Sequence, residues 1–352
     1  MKNRLKYMRN AFKRETRRFF TFAVIILFTL FVIPAFVSNN NSQKTEVGIS
    51  TDSLHFSYSV ITGIGIDSLF NRRDNSDIIK VGNKYYLWYT KMVSPNNSGY
   101  WGTIWYATSE DEGHTWKEKG MALDVSKKGE FDSHSVFTPN ILAYKGKYYL
   151  YYTAVKPTLT NSENKFENNS VNDFTAIGLA SSNSPDGPFK RVSNKPVLTI
   201  SSDSSAFDSY RIDDASLMVR ENKIWLYYKG RSIIHGKMGP AFTKMGLAFS
   251  KKPEGPFEKY EKPILDRSHE VLVWNQDNGV ASLASLSSSY QFASDGINFR
   301  PILENLKQIP MAPGLYRPQL EDGNKATKIP GWGIAMVQKK GKTYLVRYEM
   351  KK

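Results

Sequence analysis

The chain has no cysteine among its 352 residues, which excludes disulfide bonds and lipidated cysteines. It also lacks a concentrated basic stripe beyond its first 18 residues. Those residues carry eight Lys or Arg and one acid, which supply +7 of the formal net charge of +15 and leave +8 spread thinly over the rest. Nucleic-acid binding is therefore not indicated, because it requires a concentrated positive face.

Long apolar runs are also missing, with one exception near the N-terminus. Residues 19–37 are uncharged and apolar, long enough at about 1.5 Å per residue to cross a bilayer. With basic residues 1–18 before it, this run predicts an N-terminal apolar helix, either an uncleaved anchor or a cleaved signal peptide. Both alternatives predict an exported protein (periplasmic, membrane-anchored or secreted), with residues 38–69 as a linker and 70–352 as the main domain.

Aromatic residues are abundant and belong to a repeated strand pattern. Polar turns followed by aromatic strands align four leucines: Leu87, Leu150, Leu226 and Leu345. Small-residue strands that lead into acidic glycine turns align four alanines, and the last of them predicts a degenerate unit near GVASLASL: Ala107, Ala180, Ala248 and Ala293. Antiparallel units of about 60 residues predict an all-β fold, a five-bladed β-propeller. The terminal TYLVRYEM is expected to complete the first blade.

Polar and ionisable residues stand just before the aromatic strands, where the innermost strands of a propeller converge. The four stretches concerned contain Asp74 and Asp77; Asp132, His134, Thr138 and Asn140; Asp208, Arg211, Asp213 and Asp214; and His269, Glu270 and Trp274. Carboxylates that face one another across a cavity are suited to glycoside hydrolysis, in which one group activates water and another protonates the leaving oxygen. For Asp77 and Asp213, capping of a turn is an equally good interpretation.

Several of these stretches resemble glycoside hydrolase family 117, which is related to family 43: RRDNSDIIKVGNKYYLWYTK, FDSHSVFTPNIL, FDSYRIDDASL and SHEVLVW. The resemblance implies that residues 70–352 form a five-bladed catalytic propeller. It implies an exo-acting, inverting α-1,3-(3,6-anhydro-L-galactosidase) of agar degradation, which releases 3,6-anhydro-L-galactose from the non-reducing end of neoagaro-oligosaccharides. It also implies a homodimer formed through N-terminal segments.

The resemblance also implies three catalytic residues. Asp74 would be the general base, His269 the general acid, and Asp214 the carboxylate that tunes the acid; Asp213 and Asp77 are the alternatives. We expect a neighbouring carboxylate to raise the pKa of His269, so that its proton is available near neutral pH. Inversion further requires base and acid to be roughly 6.5–9.5 Å apart, with a water between them.

Further residues are expected to contact the sugar. Trp105, Trp274 and Tyr210 are candidates for stacking, although propeller aromatics commonly belong to the core. Polar substrate contacts are expected from His134, Thr138, Asn140, Arg211, Lys229, Arg231 and Glu270. The chemistry requires no cofactor. A structural divalent cation at the propeller axis, held mostly through water, would leave no ligand motif in the sequence.

Three other functions remain open. Residues 109–116, SEDEGHTW, match the Asp-box turn that sialidases share, and a sialidase-like site would draw on Arg211, Arg231, Arg317 and Tyr316. A non-catalytic, membrane-displayed propeller that binds glycans would keep the aromatics without a matched acid and base. A glycosidase acting on carrageenan would instead remove anhydro-D-galactose.

Overall fold

The computed structural model describes residues 54–159, 161, 173–269, 271–318 and 331–351. The predicted N-terminal apolar helix at 19–37 and the predicted contact residue Glu270 lie outside these ranges. Within them the fold is all-β, with 22 strands and two short 3-10 segments. No helix in the described ranges combines the length and the apolarity needed to cross a bilayer.

The strands follow one another along the chain with few long connections. In chain order they are β1 (His55–Val60), β2 (Phe70–Asn75), β3 (Ile78–Val81), β4 (Lys84–Val93), β5 (Thr103–Ser109), β6 (Lys117–Leu123), β7 (Ser135–Tyr144), β8 (Lys147–Pro157), β9 (Asp173–Ser182), β10 (Lys190–Arg191), β11 (Arg211–Arg220), β12 (Lys223–Arg231), β13 (Lys244–Ser250), β14 (Glu258–Lys259), β15 (Leu265–Asp266), β16 (Val271–Gln276), β17 (Gly279–Ala284), β18 (Ser289–Ala293), β19 (Arg300–Leu303), β20 (Met311–Arg317), β21 (Trp332–Lys339) and β22 (Lys342–Lys351). The 3-10 segments are η1 (Gly99–Trp101) and η2 (Ile233–Phe242), the latter kinked at Gly236.

The strands form four sheets in the described part of the chain. Three of them are consecutive antiparallel stacks: β7 to β10, β11 to β14 with β15 beside β13, and β16 to β19. The fourth has nine strands in the order β1-β22-β21-β20-β3-β4-β5-β6, with β2 also paired to β4. Its one parallel pairing, β20 with β3, divides it into two antiparallel stacks.

The C-terminal strand was expected to complete the first stack, but it belongs to the last one. TYLVRYEM lies in β22, which pairs with β21 on one side and with the N-terminal strand β1 on the other. The closing pair therefore joins the beginning and the end of the described chain within the last stack. An unpaired edge of β22 would expose a row of backbone donors and acceptors, and β1 covers it.

The register of the sheets confirms the predicted repeat for three of the four aligned leucines. Leu345 does not follow it, because it lies in β22, the third strand of its stack counted from β20, and pairs with Met336. Leu87 pairs with Ala107, Leu150 with Ala180, and Leu226 with Ala248. In the degenerate unit, Val280 stands at the leucine position and pairs with Ala293. All eight side chains are buried. The middle strands read as continuous aromatic runs because neighbouring sheets cover both of their faces.

Five inner strands, which we define as β2, β7, β11, β16 and β20, contact one another in succession. β7 contacts β2 and β11, β16 contacts β11 and β20, and β20 contacts β2. The five strands therefore surround a common centre. This arrangement positions the candidate site.

Two of the acids that precede inner strands have structural contacts. Asp132 accepts a hydrogen bond from Tyr152 and is paired with Arg191, while Asp208 accepts from Tyr228 and is paired with a lysine of β14. Each carboxylate thus connects the turn before an inner strand to the second strand and to the outer edge of the same sheet. The FDS stretches are explained by this repeated contact.

The Asp-box turn forms as its sequence predicts. Asp111 accepts from the backbone of Thr115 and from Ser109, and Gly113, at φ 83°, contributes the carbonyl that accepts from the Trp116 indole. Its position in the hairpin between β5 and β6 is structural. The turn therefore does not support a sialidase activity.

Candidate active site

Four inner strands carry the same backbone irregularity. Asp74, Thr138, Asp214 and Ala312 have φ between 43° and 52°, and each lies where the register of its strand shifts. A left-handed conformation costs a non-glycine residue about 1–2 kcal/mol. A bulge also turns a side chain away from the direction that regular alternation would give it. In β2 and β11 the residue at the bulge is a carboxylate.

The bulges meet at two cavities that share Asp74, Thr138 and Asp214. The first, here called the site cavity, has a volume of about 80 Å³ and is lined by Arg73, Asp74, Ser98, Gly99, Tyr100, Phe137, Thr138, Asp213, Asp214, Lys229, Arg231 and His269. The second, here called the axial cavity, has a volume of about 40 Å³ and is lined by Asp74, Asn75, Thr138, Pro139, Asn140, Asp214, Ala215, Val271, Ala312 and Pro313. The three predicted catalytic residues are therefore brought to one cavity.

Two cations, Arg73 and Lys229, pair with the acids of the site cavity. Arg73 Nε lies 2.6 Å from Asp74 Oδ2. Lys229 Nζ lies 2.5 Å from Asp214 Oδ2 and 3.2 Å from Asp213 Oδ1. Lys229 reaches both carboxylates because β12 places it opposite Asp213 in the sheet. The buried lysine is thus shared between two adjacent acids.

The two adjacent acids differ in proton affinity. Burial raises the pKa of Asp214 to about 7, and the Asp213 and Asp74 carboxylates act in the same direction, against the opposing effect of Lys229. Asp213 is more deeply buried, with 5% of its side chain exposed against 15% for Asp214, but the Lys229 and Arg231 cations more than offset that burial and hold its pKa below the ordinary value. Near neutral pH the pair therefore combines an ionised Asp213 with an Asp214 that retains a proton in part of the molecules.

The pKa of His269 moves opposite to the sequence-based expectation. The Lys229 cation, burial and the Arg231 cation together lower it to about 3, and Asp213 compensates only in part. The ring also bonds to the Pro240 backbone. His269 is consequently neutral at neutral pH in this state, so the expected raised pKa was wrong. Nearby cations, not the flanking carboxylate, dominate its environment.

Arg211 lies behind the wall of the site cavity. It is 1% exposed, forms an ion pair with Asp173 at 3.0 Å, and its guanidinium carbon lies 5.0 Å from the centre of the Tyr100 ring. Tyr210 packs against the same guanidinium at 5.5 Å. Arg211 and Tyr210 are absent from the cavity lining, and the structure assigns them to support of the wall.

Several other predicted residues are not brought to either cavity. Asp77 forms a buried ion pair with Arg317 and accepts a hydrogen bond from the backbone of Leu315, which links β20 to the start of β3. Trp274 is 2% exposed and stacked on Tyr290. These contacts explain Asp77 and Trp274 as parts of the folded scaffold.

Trp105 and His134 are also outside the cavity lining. The ammonium of Lys91 lies 3.8 Å from the centre of the Trp105 ring, so the lysine occupies a face that a sugar would need. His134 is half-buried beside Trp101, and burial lowers its pKa to about 4. Of the predicted polar contacts, those that line a cavity are Thr138, Asn140, Lys229 and Arg231.

The sequence reasoning missed one wall of the site cavity. Ser98, Gly99 and Tyr100 belong to the loop that contains η1, and Phe137 packs against it from β7. The only local signal is the pair of glycines that flank Tyr100 and Trp101 and mark a loop between two aromatic strands. Nothing in that signal indicates that the loop turns toward the inner strands.

The described residues contain no cluster of three or more His, Cys, Asp or Glu side chains that could hold a metal ion. The axial cavity nevertheless offers oxygen ligands. Asn75 Oδ1 is buried there with no hydrogen-bond partner, and the Asp74 carboxylate lines the same space. Carbonyl and carboxylate oxygens suit a hard divalent cation that keeps most of its water. These residues fit such a cation.

Comparisons with known proteins identify glycoside hydrolases. Residues 122–239 match the family described as glycosyl hydrolases family 43. The chain is similar to the solved structure of Zg3597, a family 117 glycoside hydrolase of the marine bacterium Zobellia galactanivorans, with 28% identity, a TM-score of 0.72, and coverage of 85% of this chain and 90% of that one. No curated protein sequence matches the chain significantly.

More distant structures share the fold. An endo-arabinase from Bacteroides thetaiotaomicron has 16% identity and a TM-score of 0.52, with coverage of 84% of this chain and 98% of that one. Fructan 1-exohydrolase IIa from Cichorium intybus has 12% identity and a TM-score of 0.56, with coverage of 81% of this chain and 56% of that one. At such identities the likeness concerns the architecture alone.

Proposed function

We propose that this glycoside hydrolase, which resembles family 117 and is related to family 43, acts from the non-reducing end of neoagaro-oligosaccharides and releases 3,6-anhydro-L-galactose with inversion. The substrate class, an oligosaccharide, follows from the glycosidase families. The particular sugar is what the resemblance of the stretches around Asp74, Asp214 and His269 to family 117 implies, and the similarity to Zg3597 supports the family.

One observation carries the proposal. Asp74 and Asp214 occupy equivalent left-handed bulges on separate inner strands and line the same cavity. Their surroundings differ, since the Asp74 carboxylate is paired with Arg73 while burial raises the pKa of Asp214 to about 7. Two carboxyl groups with opposite proton tasks are what an inverting glycosidase requires.

In the proposed reaction Asp74 accepts a proton from a water molecule, whose oxygen attacks the anomeric carbon from the face opposite the leaving group. The bond to the glycosidic oxygen breaks, and that oxygen takes a proton from the acid partner. We assign the proton to Asp214. Lys229 bonds Oδ2 of this carboxyl group, and Asp213 remains ionised as the counter-ion of the lysine.

His269 then has a different task from the one that the family resemblance implies. As a neutral imidazole bonded to the Pro240 backbone, it positions sugar hydroxyls or the leaving oxygen and is not the proton store. Thr138 and Arg231 line the same cavity and supply further polar contacts to the ring.

The charge balance of the site cavity favours an uncharged sugar over a sulfated one. Its lining contains three cations and three acids: Arg73, Lys229 and Arg231, and Asp74, Asp213 and Asp214. Arg73 and Lys229 are already paired with these acids. A sulfate group would have to compete with buried carboxylates for its counter-ions. This supports neoagaro-oligosaccharides over sulfated carrageenan fragments.

The test is to incubate the protein with neoagarobiose and, separately, with neocarrabiose, and to follow free anhydrogalactose by chromatography. We expect release from neoagarobiose alone. Asp74→Asn removes the base with little change in shape, so it should abolish release while preserving binding of the disaccharide. Release from neither sugar by the unaltered protein would overturn the proposal, and release that survives Asp74→Asn would overturn the assignment of the base.

We also propose that the described strands form a propeller of five blades. The support is the succession of contacts among the five inner strands, together with the parallel pairing that divides the nine-stranded sheet into two stacks. A hydrated divalent cation in the axial cavity, held by the Asn75 amide oxygen and otherwise through its own water, would add a structural charge there. Export through residues 19–37, membrane attachment and the homodimer stay predictions.

A further inference from the structure

We infer that Trp101, buttressed by His134, forms the binding platform for the second sugar ring of the substrate, the ring that carries the leaving oxygen. This inference deepens the proposed function and rests on it. The platform belongs to a subsite that selects oligosaccharides over the free monosaccharide. It replaces the role expected of Trp105 and Trp274, whose rings are covered by Lys91 and Tyr290.

Trp101 differs from every other tryptophan of the chain in its exposure. It is 43% exposed, although the preceding residue, Tyr100, is only 4% exposed. Trp105 is half-buried, and the remaining five tryptophans are buried: Trp88, Trp116, Trp225, Trp274 and Trp332. Large aromatic side chains normally bury 150–250 Å² on folding, so an indole held at the surface is a candidate for a ligand contact.

The loop that carries Trp101 is held in place by contacts with β7. Ser135 Oγ donates to the carbonyls of Gly99 at 2.6 Å and Gly102 at 3.1 Å, which fixes both ends of η1. A side chain at position 99 would lie 2.3 Å from the Phe137 ring, so the loop packs directly on β7. A sugar platform on such a loop is preorganised, which reduces the entropy cost of binding.

His134 supports the edge of the indole. The two rings have centroids 5.2 Å apart at an angle of 70°, an edge-to-face contact. The backbone of His134 donates to the Val155 carbonyl at 3.0 Å, which ties the histidine to β8. Because burial lowers its pKa to about 4, the ring stays neutral at neutral pH and supports the indole without adding a charge.

Trp101 is the neighbour of residues that line the site cavity. Ser98, Gly99 and Tyr100 line the cavity, and Trp101 is the next residue of the same loop. Asp74 and Asp214 act on the sugar inside the cavity, so the second ring of an exo-acting enzyme's substrate must lie outside it. An exposed indole next to the cavity lining can cover the apolar face of that ring.

The experiment compares two ligands in the Asp74→Asn background, where binding is measured without turnover. Free 3,6-anhydro-L-galactose and neoagarobiose are titrated by calorimetry into Asp74→Asn alone and into the same protein with Trp101→Ala, Trp101→Phe or, as a matched control, Tyr260→Ala. Tyr260 is similarly exposed, at 37%, but follows β14 at the outer edge of its sheet. We expect Trp101→Ala to weaken the affinity for neoagarobiose about five- to twentyfold. Monosaccharide affinity should change less than twofold, Trp101→Phe should restore most of the loss, and Tyr260→Ala should change nothing.

The outcomes distinguish failure of the Trp101 platform from failure of the proposed function. Equal weakening of both ligands by Trp101→Ala would mean a structural role for the indole and would overturn the platform. So would unchanged affinity for both. If the Asp74→Asn protein binds neither ligand and the unaltered protein hydrolyses no neoagarobiose, the proposed function fails and the platform fails with it.

Discussion

At the scale of single residues, the charges around Lys229 control the site. The lysine is buried, shared between Asp213 and Asp214, and is the largest cause of the lowered pKa of His269. His134 has a lowered pKa for a different reason, since burial is its cause. The two histidines therefore provide an internal comparison.

Replacement of Lys229 by methionine should raise the pKa of His269 from about 3 toward its ordinary value, because the strongest repulsive charge is removed. The pKa of His134 should remain at about 4. The free energy of unfolding should fall by about 3–5 kcal/mol, because two buried acids lose their counter-ion. NMR titration of both rings checks the shifts, and movement of both pKa values together would contradict this account of His269.

Some residue-scale features could be predicted from the sequence and others could not. The resemblance of their local stretches to family 117 placed Asp74, Asp214 and His269 in one site, with Asp213 and Asp77 as alternatives. The protonation of His269 was not predictable, because Lys229 lies on another strand 40 positions away and its charge is not visible in the stretch around the histidine. The same limit applies to Trp105. Its ring was a candidate for stacking on a sugar, but Lys91 of the neighbouring strand covers it.

At the scale of elements, the repeated bulge is the feature of the inner strands that positions the cavity residues. The sequence repeat predicted the strands and the alignment of leucines and of alanines in successive units, whereas the pairing of Leu87, Leu150 and Leu226 with alanines is seen only in the register of the sheets. It could not predict the bulges, since Asp, Thr and Ala share no side-chain preference that would mark them. The identity of backbone conformation at Asp74, Thr138, Asp214 and Ala312 appears only in three dimensions.

Ala312 tests the backbone cost of the bulge, because its side chain contributes little else. Glycine tolerates its φ of 43°, so Ala312→Gly should raise the free energy of unfolding by about 0.5 kcal/mol after the greater entropy of the unfolded chain is deducted. Ala312→Val should lower it by about 1–2 kcal/mol, because a β-branched residue is more strained there. Chemical denaturation measures both, and a stabilising valine would refute the strain.

The buried carboxylates before β7 and β11, Asp132 and Asp208, make a second repeated contact. Tyr152→Phe and Tyr228→Phe each remove one hydrogen bond to a buried acid, so each should cost about 1–2 kcal/mol in the free energy of unfolding. Neither tyrosine lines a cavity, so kcat on neoagarobiose should change less than twofold. A large loss of kcat with normal stability would show that these turns shape the active site directly.

At the scale of the whole molecule, β1 joins the two ends of the described chain. Phe56 of β1 is buried in a cluster with Tyr348 and Met350, whereas Ser57 is exposed. If the sheets unfold as one cooperative unit, Phe56→Ala should lower the free energy of unfolding by about 3 kcal/mol or more, and Ser57→Ala by less than about 0.5 kcal/mol. Thermal unfolding monitored by two probes checks this, and a local transition of β1 with an unchanged main transition would show that closure is dispensable.

The distribution of charge also acts at the scale of the molecule. Every inner strand contributes to one centre, so acids that are distant in sequence share a low-dielectric space and shift one another's proton affinity. Asp74 and Asp214 belong to different sheets, yet each is part of the other's electrostatic environment. The proposed division of labour between them depends on that proximity.

The most direct test is the pH dependence of kcat/KM for neoagarobiose with the unaltered protein, Asp214→Asn and His269→Gln. We predict that activity declines as pH rises through about 7, because Asp214 loses its proton there. Asp214→Asn should reduce kcat by about 10²–10⁴ and abolish this alkaline decline, while His269→Gln should retain it. An alkaline decline that persists in Asp214→Asn and disappears in His269→Gln would contradict the assignment and identify His269 as the acid.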